Sequence, residues 1–193
     1  MPKDLRTFIQ QVATAMPDQI RMISREVDPK FGITSIAGKL GKEGKFPPLF
    51  FSKIKGSSMP LVINLTASYE GLAMALDTNV GEMVRIYGQR QTKPVPARVV
   101  QDGPVREVIL KGEDAKLSRL PIPVHNELDA GPYITGGVMI CKDPETGAMN
   151  AGMYRHQVHN DHQLGVYFQG SHHGGYICRQ NSEKNLPTEV AIA

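Results

Sequence analysis

The chain has 193 residues and a formal net charge of +3 at pH 7. This length is enough for one large or two small domains, and the hydrophobic content of 40% is enough for an apolar core. No apolar run approaches the roughly 18 residues of a membrane span, the N-terminus lacks the apolar segment of a signal peptide, and the two cysteines follow no metal or redox spacing. We therefore expect a cytoplasmic protein with reduced thiols. We expect no nucleic-acid binding, because the basic residues form no cluster with aromatic side chains between them.

The first 93 residues predict a small α/β domain. Asp4 begins an amphipathic helix with apolar residues at three- and four-residue spacing, and this helix ends before Pro17. The proline-stiffened stretch from Lys93 to Pro96 is the predicted domain boundary. Further helices are predicted at 34–40, 69–76 and 80–87, and strands at 20–24, 48–54 and 61–65.

Residues 94–193 predict a second domain that consists mostly of strands. The strand patterns lie at 99–100, 105–110, 133–141, 149–158, 164–168 and from Val190 onward. Several strands at hairpin spacing, with little helix between them, indicate a small barrel or sandwich. Because the sequence ends inside a strand pattern, we expect the chain to be one portion of a longer protein or one half of a split enzyme.

Five of the six histidines lie in residues 131–175, close to a predicted hairpin. His156, His159 and His162 recur at every third position, and on a strand this spacing puts neighbouring side chains on opposite faces. We therefore interpret these three residues as exposed histidines of a strand end and a turn, not as a metal site.

Four other polar residues in this region are candidates for a site. His172 and His173 precede two glycines, where backbone can approach a ligand closely, so either imidazole could bind a divalent ion; an ordinary surface loop is the alternative. Arg155 lies among apolar residues and is predicted to be buried, where its guanidinium needs a carboxylate, a phosphate or carbonyl partners. A structural ion pair is the alternative for Arg155. Asn150 follows a hairpin turn, where asparagine is ordinary.

A series of motifs in chain order is more specific than any single residue. The motifs are Asp4-Leu5-Arg6-x-Phe8, Leu120-Pro121-Ile122-Pro123, Asp129-Ala130-Gly131-Pro132-Tyr133-Ile134-Thr135, Asp143-Pro144-Glu145-Thr146-Gly147, Asn150-Ala151-Gly152-Met153-Tyr154-Arg155-His156-Gln157-Val158 and Ser171-His172-His173-Gly174-Gly175. Together they resemble the UbiD family of reversible, non-oxidative decarboxylases, which use prenylated FMN. The resemblance runs from residue 4 to the end of the chain.

The resemblance implies a fold and a reaction. It implies an α+β protein with a small N-terminal α/β domain (1–93) and the beginning of a split β-barrel cofactor domain (94–193) that resembles flavin reductases. The implied activity is decarboxylation or carboxylation of an aromatic, heteroaromatic or α,β-unsaturated carboxylic acid through a covalent adduct with prenylated FMN.

The resemblance also implies roles for individual residues. Asn150 and His172 would bind Mn²⁺ or Mg²⁺, with K⁺ as a further candidate ion, and the metal would bridge to the flavin phosphate; His173 is the alternative to His172. Arg155 would lie at the reactive face of the cofactor, and Thr135 and the backbone near Met153 would contact it. Because Asn150 and Arg155 point to opposite faces of a regular strand, we predict a bulge or kink at Gly152.

The chain also departs from the family pattern. The family's third metal ligand, the two glutamates that act with the arginine and the C-terminal oligomerisation domain have no counterpart in residues 1–193. We expect a chain that assembles as a homo-oligomer or with a complementing subunit. Two alternatives stay open: a non-catalytic or truncated module that complements a longer decarboxylase subunit, and a reductase-like protein that binds plain FMN.

Overall fold

The computed structural model describes residues 4–193, and the chain divides into two compact units between Asp114 and Ala115. The elements of the first unit are α1 (Leu5–Ala15), β1 (Arg21–Ile23), α2 (Gly32–Lys42), β2 (Leu49–Phe51), β3 (Leu61–Ile63), α3 (Tyr69–Ala75) and α4 (Met83–Gln91). Those of the second unit are β4 (Tyr133–Ile134), β5 (Val138–Lys142), β6 (Met149–Met153), β7 (His156–Asn160), β8 (Gln163–Val166), α5 (His173–Glu183) and β9 (Val190–Ile192). Among the described residues, no helix is long and apolar enough to cross a membrane.

The first unit is organised around a three-stranded sheet in the order β1-β2-β3. Strand β1 is parallel to β2, and β3 is antiparallel to it. Leu49 and Phe51 of β2 and Ile33 of α2 are fully buried, and Ile36 and Leu40 of the same helix pack against them. The three- and four-residue spacing along α2 thus forms the apolar stripe that covers the sheet.

Helix α1 begins at its predicted N-cap. The backbone N–H of Thr7 donates to Asp4 Oδ1 at 2.7 Å, and the backbone N–H of Asp4 donates to Thr7 Oγ1 at 3.0 Å. This reciprocal pair satisfies two backbone donors that the first helical turn leaves free. All the helices and strands predicted for residues 4–91 are present, with ends shifted by a few residues.

The predicted strands at 99–100 and 105–110 are wrong. The segment instead carries a short 3₁₀ turn at Pro104–Arg106, and Val99 and Val105 are 93% and 90% exposed. Valine favours strands only where its side chain packs against neighbouring strands. In the described part of the chain this segment pairs with no strand, so its valines form no ladder.

The second unit contains the predicted hairpin. Strands β5 and β6 are antiparallel, with Cys141 opposite Asn150, and the turn between them is fixed by Asp143, whose Oδ1 accepts the backbone N–H groups of Glu145 and Thr146. Gly147 has φ of +73°, a conformation that glycine adopts without steric cost.

Two long antiparallel segments form the centre of this unit. Strands β4 and β5 follow one another along the first segment, and β6 and β7 along the second; β4 pairs with β7, and β5 with β6. Strand β9 pairs with the outer side of β5, and β8 with the outer side of β7. The described strands do not close into a barrel, so the mixed α+β class is confirmed but the predicted split barrel is not.

Helix α5 was not predicted from the sequence. It packs on the sheet β6-β5-β9 through Ile177, which is 3% exposed and lies against Met139, Cys141 and Tyr154. The strand pattern that begins at Val190 does form a strand, and β9 pairs with β5.

Candidate functional site

The junction between β6 and β7 positions the candidate site. The prediction for Gly152 was a bulge or a kink. The ladder between β5 and β6 is regular through Gly152, which lies opposite Met139, so the bulge is wrong. The interruption lies at Tyr154 and Arg155, between the end of β6 and the start of β7. Side chains nevertheless continue to alternate across this break, because Tyr154 and His156 are buried whereas Arg155 is exposed.

Residues at the break and along β7 line one cavity of about 620 Å³. Its lining residues are Tyr133, Met153, Tyr154, Arg155, Gln157, His159, Gly165, Val166, Tyr167, Gln169 and His172. The prediction that Arg155 is buried is wrong, since its side chain faces this open cavity, and no carboxylate of the described residues forms an ion pair with it. Its guanidinium therefore keeps its hydrogen-bond donors for other partners.

Tyr154 joins the strand break to the N-terminus of α5. Its hydroxyl accepts the backbone N–H of Gly174 at 3.2 Å, and its ring makes edge contacts with Phe168 and His172 at centroid distances of 5.1 and 5.5 Å. A Cβ at Gly152 would lie 2.8 Å from the Tyr154 ring, and one at Gly174 would lie 2.7 Å from its hydroxyl. Both glycines are thus required for the close approach of this tyrosine.

His172 lies at the N-cap position of α5 and borders the cavity. Its Nδ1 accepts the backbone N–H of Gln169 at 3.2 Å, which places the proton of the neutral ring on Nε2. In this arrangement neither ring nitrogen has a free lone pair for a metal. His173, the alternative ligand, is the first residue of α5 and is exposed.

Asn150 lies on the other face of β6 and does not line the cavity. Its Nδ2 donates to Cys141 Sγ at 3.8 Å. Burial raises the pKa of the Cys141 thiol, partly offset by this hydrogen bond, so Cys141 is a neutral partner for the amide. The first turn of α5 lies beside Tyr154 through Gly174, and Lys184, the residue after the helix, has its Nζ 3.6 Å from Glu145.

The structure thus brings together only some of the predicted site residues. Met153, Arg155 and His172 line one cavity, whereas Asn150 and Thr135 do not, and Thr135 is an exposed residue between β4 and β5. Cavity residues for which the sequence predicted no role in the site are Tyr133, Tyr154, Gln157, Tyr167 and Gln169, together with His159, which was interpreted as an exposed histidine of a strand end and a turn. The period-two alternation from Arg155 would have indicated Gln157 and His159.

The cavity suits a flavin better than the described residues suit a metal. Its volume is within the range of about 300–1,000 Å³ that is typical of small-molecule sites. Tyr133, Met153 and Tyr167 offer apolar surface to a ring, and Arg155 offers a permanent positive charge to an anionic group. No group of three or more His, Cys, Asp and Glu side chains within residues 4–193 is arranged to hold a metal ion.

Two family models together match most of the chain. The model of the 3-octaprenyl-4-hydroxybenzoate carboxy-lyase N-terminal domain (UbiD_N) matches residues 15–91, and that of the carboxy-lyase Rift-related domain (UbiD) matches residues 98–193. A curated relative, the uncharacterized protein sll0936 of Synechocystis sp., is 30% identical over 217 residues, which cover all of this chain and 43% of the relative.

Solved structures with the same fold are UbiD-class enzymes. HmfF from Pelotomaculum thermopropionicum in complex with FMN is 32% identical with a TM-score of 0.88, over 98% of this chain and 42% of HmfF. An evolved dimeric form of HmfF in complex with prFMN is 31% identical with a TM-score of 0.90, over 100% of this chain and 44% of that one. Vanillic acid decarboxylase (ShVdcCD) from Sedimentibacter hydroxybenzoicus is 28% identical with a TM-score of 0.88, over 100% and 42%. The chain spans less than half the length of each of these proteins.

Proposed function

The chain belongs to the UbiD family, and we propose that it forms the flavin-binding part of a decarboxylase that acts, reversibly and without oxidation, on an aromatic, heteroaromatic or α,β-unsaturated carboxylic acid. The supporting observation is the cavity of about 620 Å³ into which Met153, Arg155 and His172 project from three different positions of the fold. HmfF, which shares this fold, has been solved with FMN and with prFMN. Prenylated FMN, when bound, would supply the electron sink for the loss of CO₂ from the substrate.

The main role of this chain's own residues would be to bind and orient an anion. Arg155 faces the cavity without a carboxylate partner, and its planar guanidinium can donate two parallel hydrogen bonds to a carboxylate or a phosphate. Gln157 and His159, on the same face of β7, add hydrogen-bonding groups along the cavity. Met153 and the tyrosines would pack against the flavin ring, and would exclude water from the site where the carboxylate is held.

A metal anchor for the flavin phosphate does not fit the present arrangement. Asn150 lies on the opposite face of β6, and the Nδ1 lone pair of His172 is used by Gln169. Mn²⁺ or Mg²⁺ ligation by Asn150 and His172 stays a prediction that requires the imidazole to leave Gln169.

Two other roles agree with specific observations. One alternative is a non-catalytic subunit or truncated module that complements a longer decarboxylase subunit; the chain covers 42% of HmfF and of ShVdcCD. HmfF has also been solved with plain FMN, which is consistent with a reductase-like protein that uses this flavin. For the decarboxylase, we also propose that the substrate is a small carboxylic acid. We propose that the chain assembles either as a homo-oligomer or with a complementing subunit.

Anaerobic reconstitution tests the proposed cofactor. The chain is mixed with prenylated FMN or with plain FMN, and binding is followed by absorbance and flavin fluorescence. We expect prenylated FMN to bind and Arg155→Gln to raise its dissociation constant by about ten- to a hundredfold, because a hydrogen bond to a charged group contributes about 1.5–3 kcal/mol. Arg179→Gln, an exposed arginine of α5 outside the cavity, is the matched control. Folded chain that binds neither flavin, or equal effects of the two substitutions, would contradict the assignment.

A further inference from the structure

His159 lines the proposed flavin cavity from an irregular position of β7. On one side of it, Val158 lies opposite Leu164 of β8. On the other side, Asn160 lies opposite Gln163, so β8 has no residue opposite His159. His159 is therefore the extra residue of a β-bulge. A bulge takes one residue out of the ladder and directs its side chain differently from those at regular strand positions.

Gly165 of β8 gives the His159 side chain its place. Gly165 lies opposite Gln157, and cross-strand partners direct their side chains to the same face of a sheet. A Cβ at Gly165 would therefore point to the side of the cavity that Gln157 lines, and there it would overlap with His159 Nε2. The imidazole thus folds back over β8 to the level of Gln157, into space that only a glycine leaves open.

This arrangement brings the imidazole closer to Arg155 than the sequence suggests. Four residues separate His159 from Arg155, which is about 13 Å along a strand, but the ring lies level with Gln157, only two residues or about 7 Å from Arg155. Tyr133 pairs with Gln157 from β4 and lines the same cavity, so an aromatic surface lies at this level too. A single aromatic ring, with a carboxylate at one end and a polar substituent at the other, spans this length.

The imidazole of His159 is available to a ligand. The residue is exposed, and within residues 4–193 its ring forms no hydrogen bond or ion pair. An imidazole can donate through one nitrogen and accept through the other, and a hydroxyl group does both through its single oxygen. Arg155 can only donate, so it binds the anionic end of a ligand and His159 is suited to a neutral polar end.

On the basis of the decarboxylase function proposed above, we propose that His159 is a specificity-determining residue. It binds a neutral hydrogen-bonding substituent, a hydroxyl or an amine, of a single-ring aromatic acid whose carboxylate is held by Arg155. The substituent lies at the end of the ring opposite the carboxylate. An α,β-unsaturated acid without such a group makes only the contact with Arg155. Of the substrate classes proposed above, this arrangement favours a substituted aromatic acid.

Two acids that differ by one hydroxyl group test this role. Benzoate and 4-hydroxybenzoate are titrated anaerobically into the flavin-loaded 193-residue chain, and binding is followed by flavin absorbance and ligand-observed NMR. We expect 4-hydroxybenzoate to bind about three- to tenfold more tightly, the factor that one net hydrogen bond gives. In His159→Phe, which keeps a ring without nitrogens, the two affinities should agree within about twofold. His162→Phe, an exposed histidine outside this cavity, is the matched control and should keep the wild-type ratio.

Gly165→Ala tests the position of the ring separately from its chemistry. The added methyl group displaces the imidazole, although both nitrogens remain. Gly165 is not among the glycines with positive φ and His159 is exposed, so the backbone accepts alanine and the ring is free to move. We expect the preference for 4-hydroxybenzoate to fall below about twofold, with denaturant unfolding as the check that the variant is folded.

Arg155→Gln distinguishes the two ends of the ligand. It should weaken both acids and leave their ratio unchanged, whereas His159→Phe should change the ratio. Equal affinity of wild type for the two acids, or an unchanged ratio in His159→Phe or Gly165→Ala, would overturn the proposal. Tighter binding of terephthalate than of 4-hydroxybenzoate would also overturn it, in favour of a second carboxylate. The proposed function fails separately, if flavin does not bind, and the ratio of the two acids is then measured on the chain alone.

Discussion

Substitution of Tyr154 by Phe removes one oxygen atom and tests whether this residue holds the site together. The ring stays, so its contacts with Phe168 and His172 remain, but the backbone N–H of Gly174 loses its acceptor. Gly174 is buried in the first turn of α5, where no intrahelical partner exists for this donor. An unsatisfied buried donor costs about 1–3 kcal/mol, and we expect a loss of this size in the free energy of unfolding.

The expected effect on ligand binding is larger than a simple loss of stability would give. The N-terminal turn of α5 carries His172 at the edge of the cavity, so a loosened turn should raise the flavin dissociation constant by about three- to tenfold at a temperature where the variant is fully folded. Denaturant unfolding gives the stability, and flavin titration gives the affinity. Nitrogen-15 NMR of the His172 ring reports whether its Nδ1 still accepts from Gln169.

The matched control is Tyr176→Phe, the same change on the same helix. Tyr176 is 53% exposed, so its hydroxyl can be solvated and the change should alter stability by less than about 0.5 kcal/mol. If Tyr154→Phe and Tyr176→Phe behave alike in both assays, Tyr154 does not position α5 and the reasoning is refuted. If Tyr154→Phe lowers stability but leaves flavin affinity and the His172 signal unchanged, its role is structural alone.

Two further predictions concern titration and metal binding. Burial lowers the pKa of His156 in the folded chain below its unfolded value of about 6.5, so between these two values the unfolded chain binds more protons. The free energy of unfolding should therefore fall as the pH falls below about 6.5. Denaturant unfolding of His156→Leu across pH 5–8 should lack this component, and an unchanged pH profile would show that another group causes it. If bound flavin draws the His172 imidazole away from Gln169 and the predicted metal site forms, Asn150→Ala and His172→Ala should each weaken Mn²⁺ binding to the flavin-loaded chain at least about tenfold, measured by electron paramagnetic resonance, with His173→Ala as the control. A residue whose removal leaves the affinity unchanged is not a ligand.

Local chemistry made the first unit and the hairpin predictable. Helix α1 begins where Asp4 can cap it, and the hairpin turns where the Asp143 carboxylate can accept two backbone N–H groups and Gly147 can adopt a positive φ. These signals act over three or four residues, so the sequence contains them completely.

Helix α5 could not be predicted in the same way. It begins with His173-Gly174-Gly175, and two glycines in a first turn disfavour a helix by about 1 kcal/mol each relative to alanine. The hydroxyl that caps its backbone comes from Tyr154, and the packing comes from Ile177 against β5. Tertiary contacts outweigh propensity here.

The structure differs from the predictions made for Gly152 and Arg155. Gly152 was expected to bend the strand, but it stays in a regular ladder and instead provides room for the Tyr154 ring. Arg155 was expected to be buried because its neighbours are apolar, although neighbours on a strand lie on opposite faces. Met153, Arg155 and His172 lie around one cavity, whereas Asn150 and Thr135 lie outside it, and the role of each residue in a flavin site stays a prediction.

The alternation along β6 and β7 makes the length of this segment as important as its chemistry. Arg155 faces the proposed flavin cavity, and the next residue, His156, faces a second cavity on the other side. Insertion or deletion of one residue near Tyr154 would move every following side chain of the strand to the opposite face. The side chains that now line the cavity with Arg155 would then point to the side of His156, and the reverse. A variant of this kind would lose both surfaces at once, although every functional residue would still be present in the sequence.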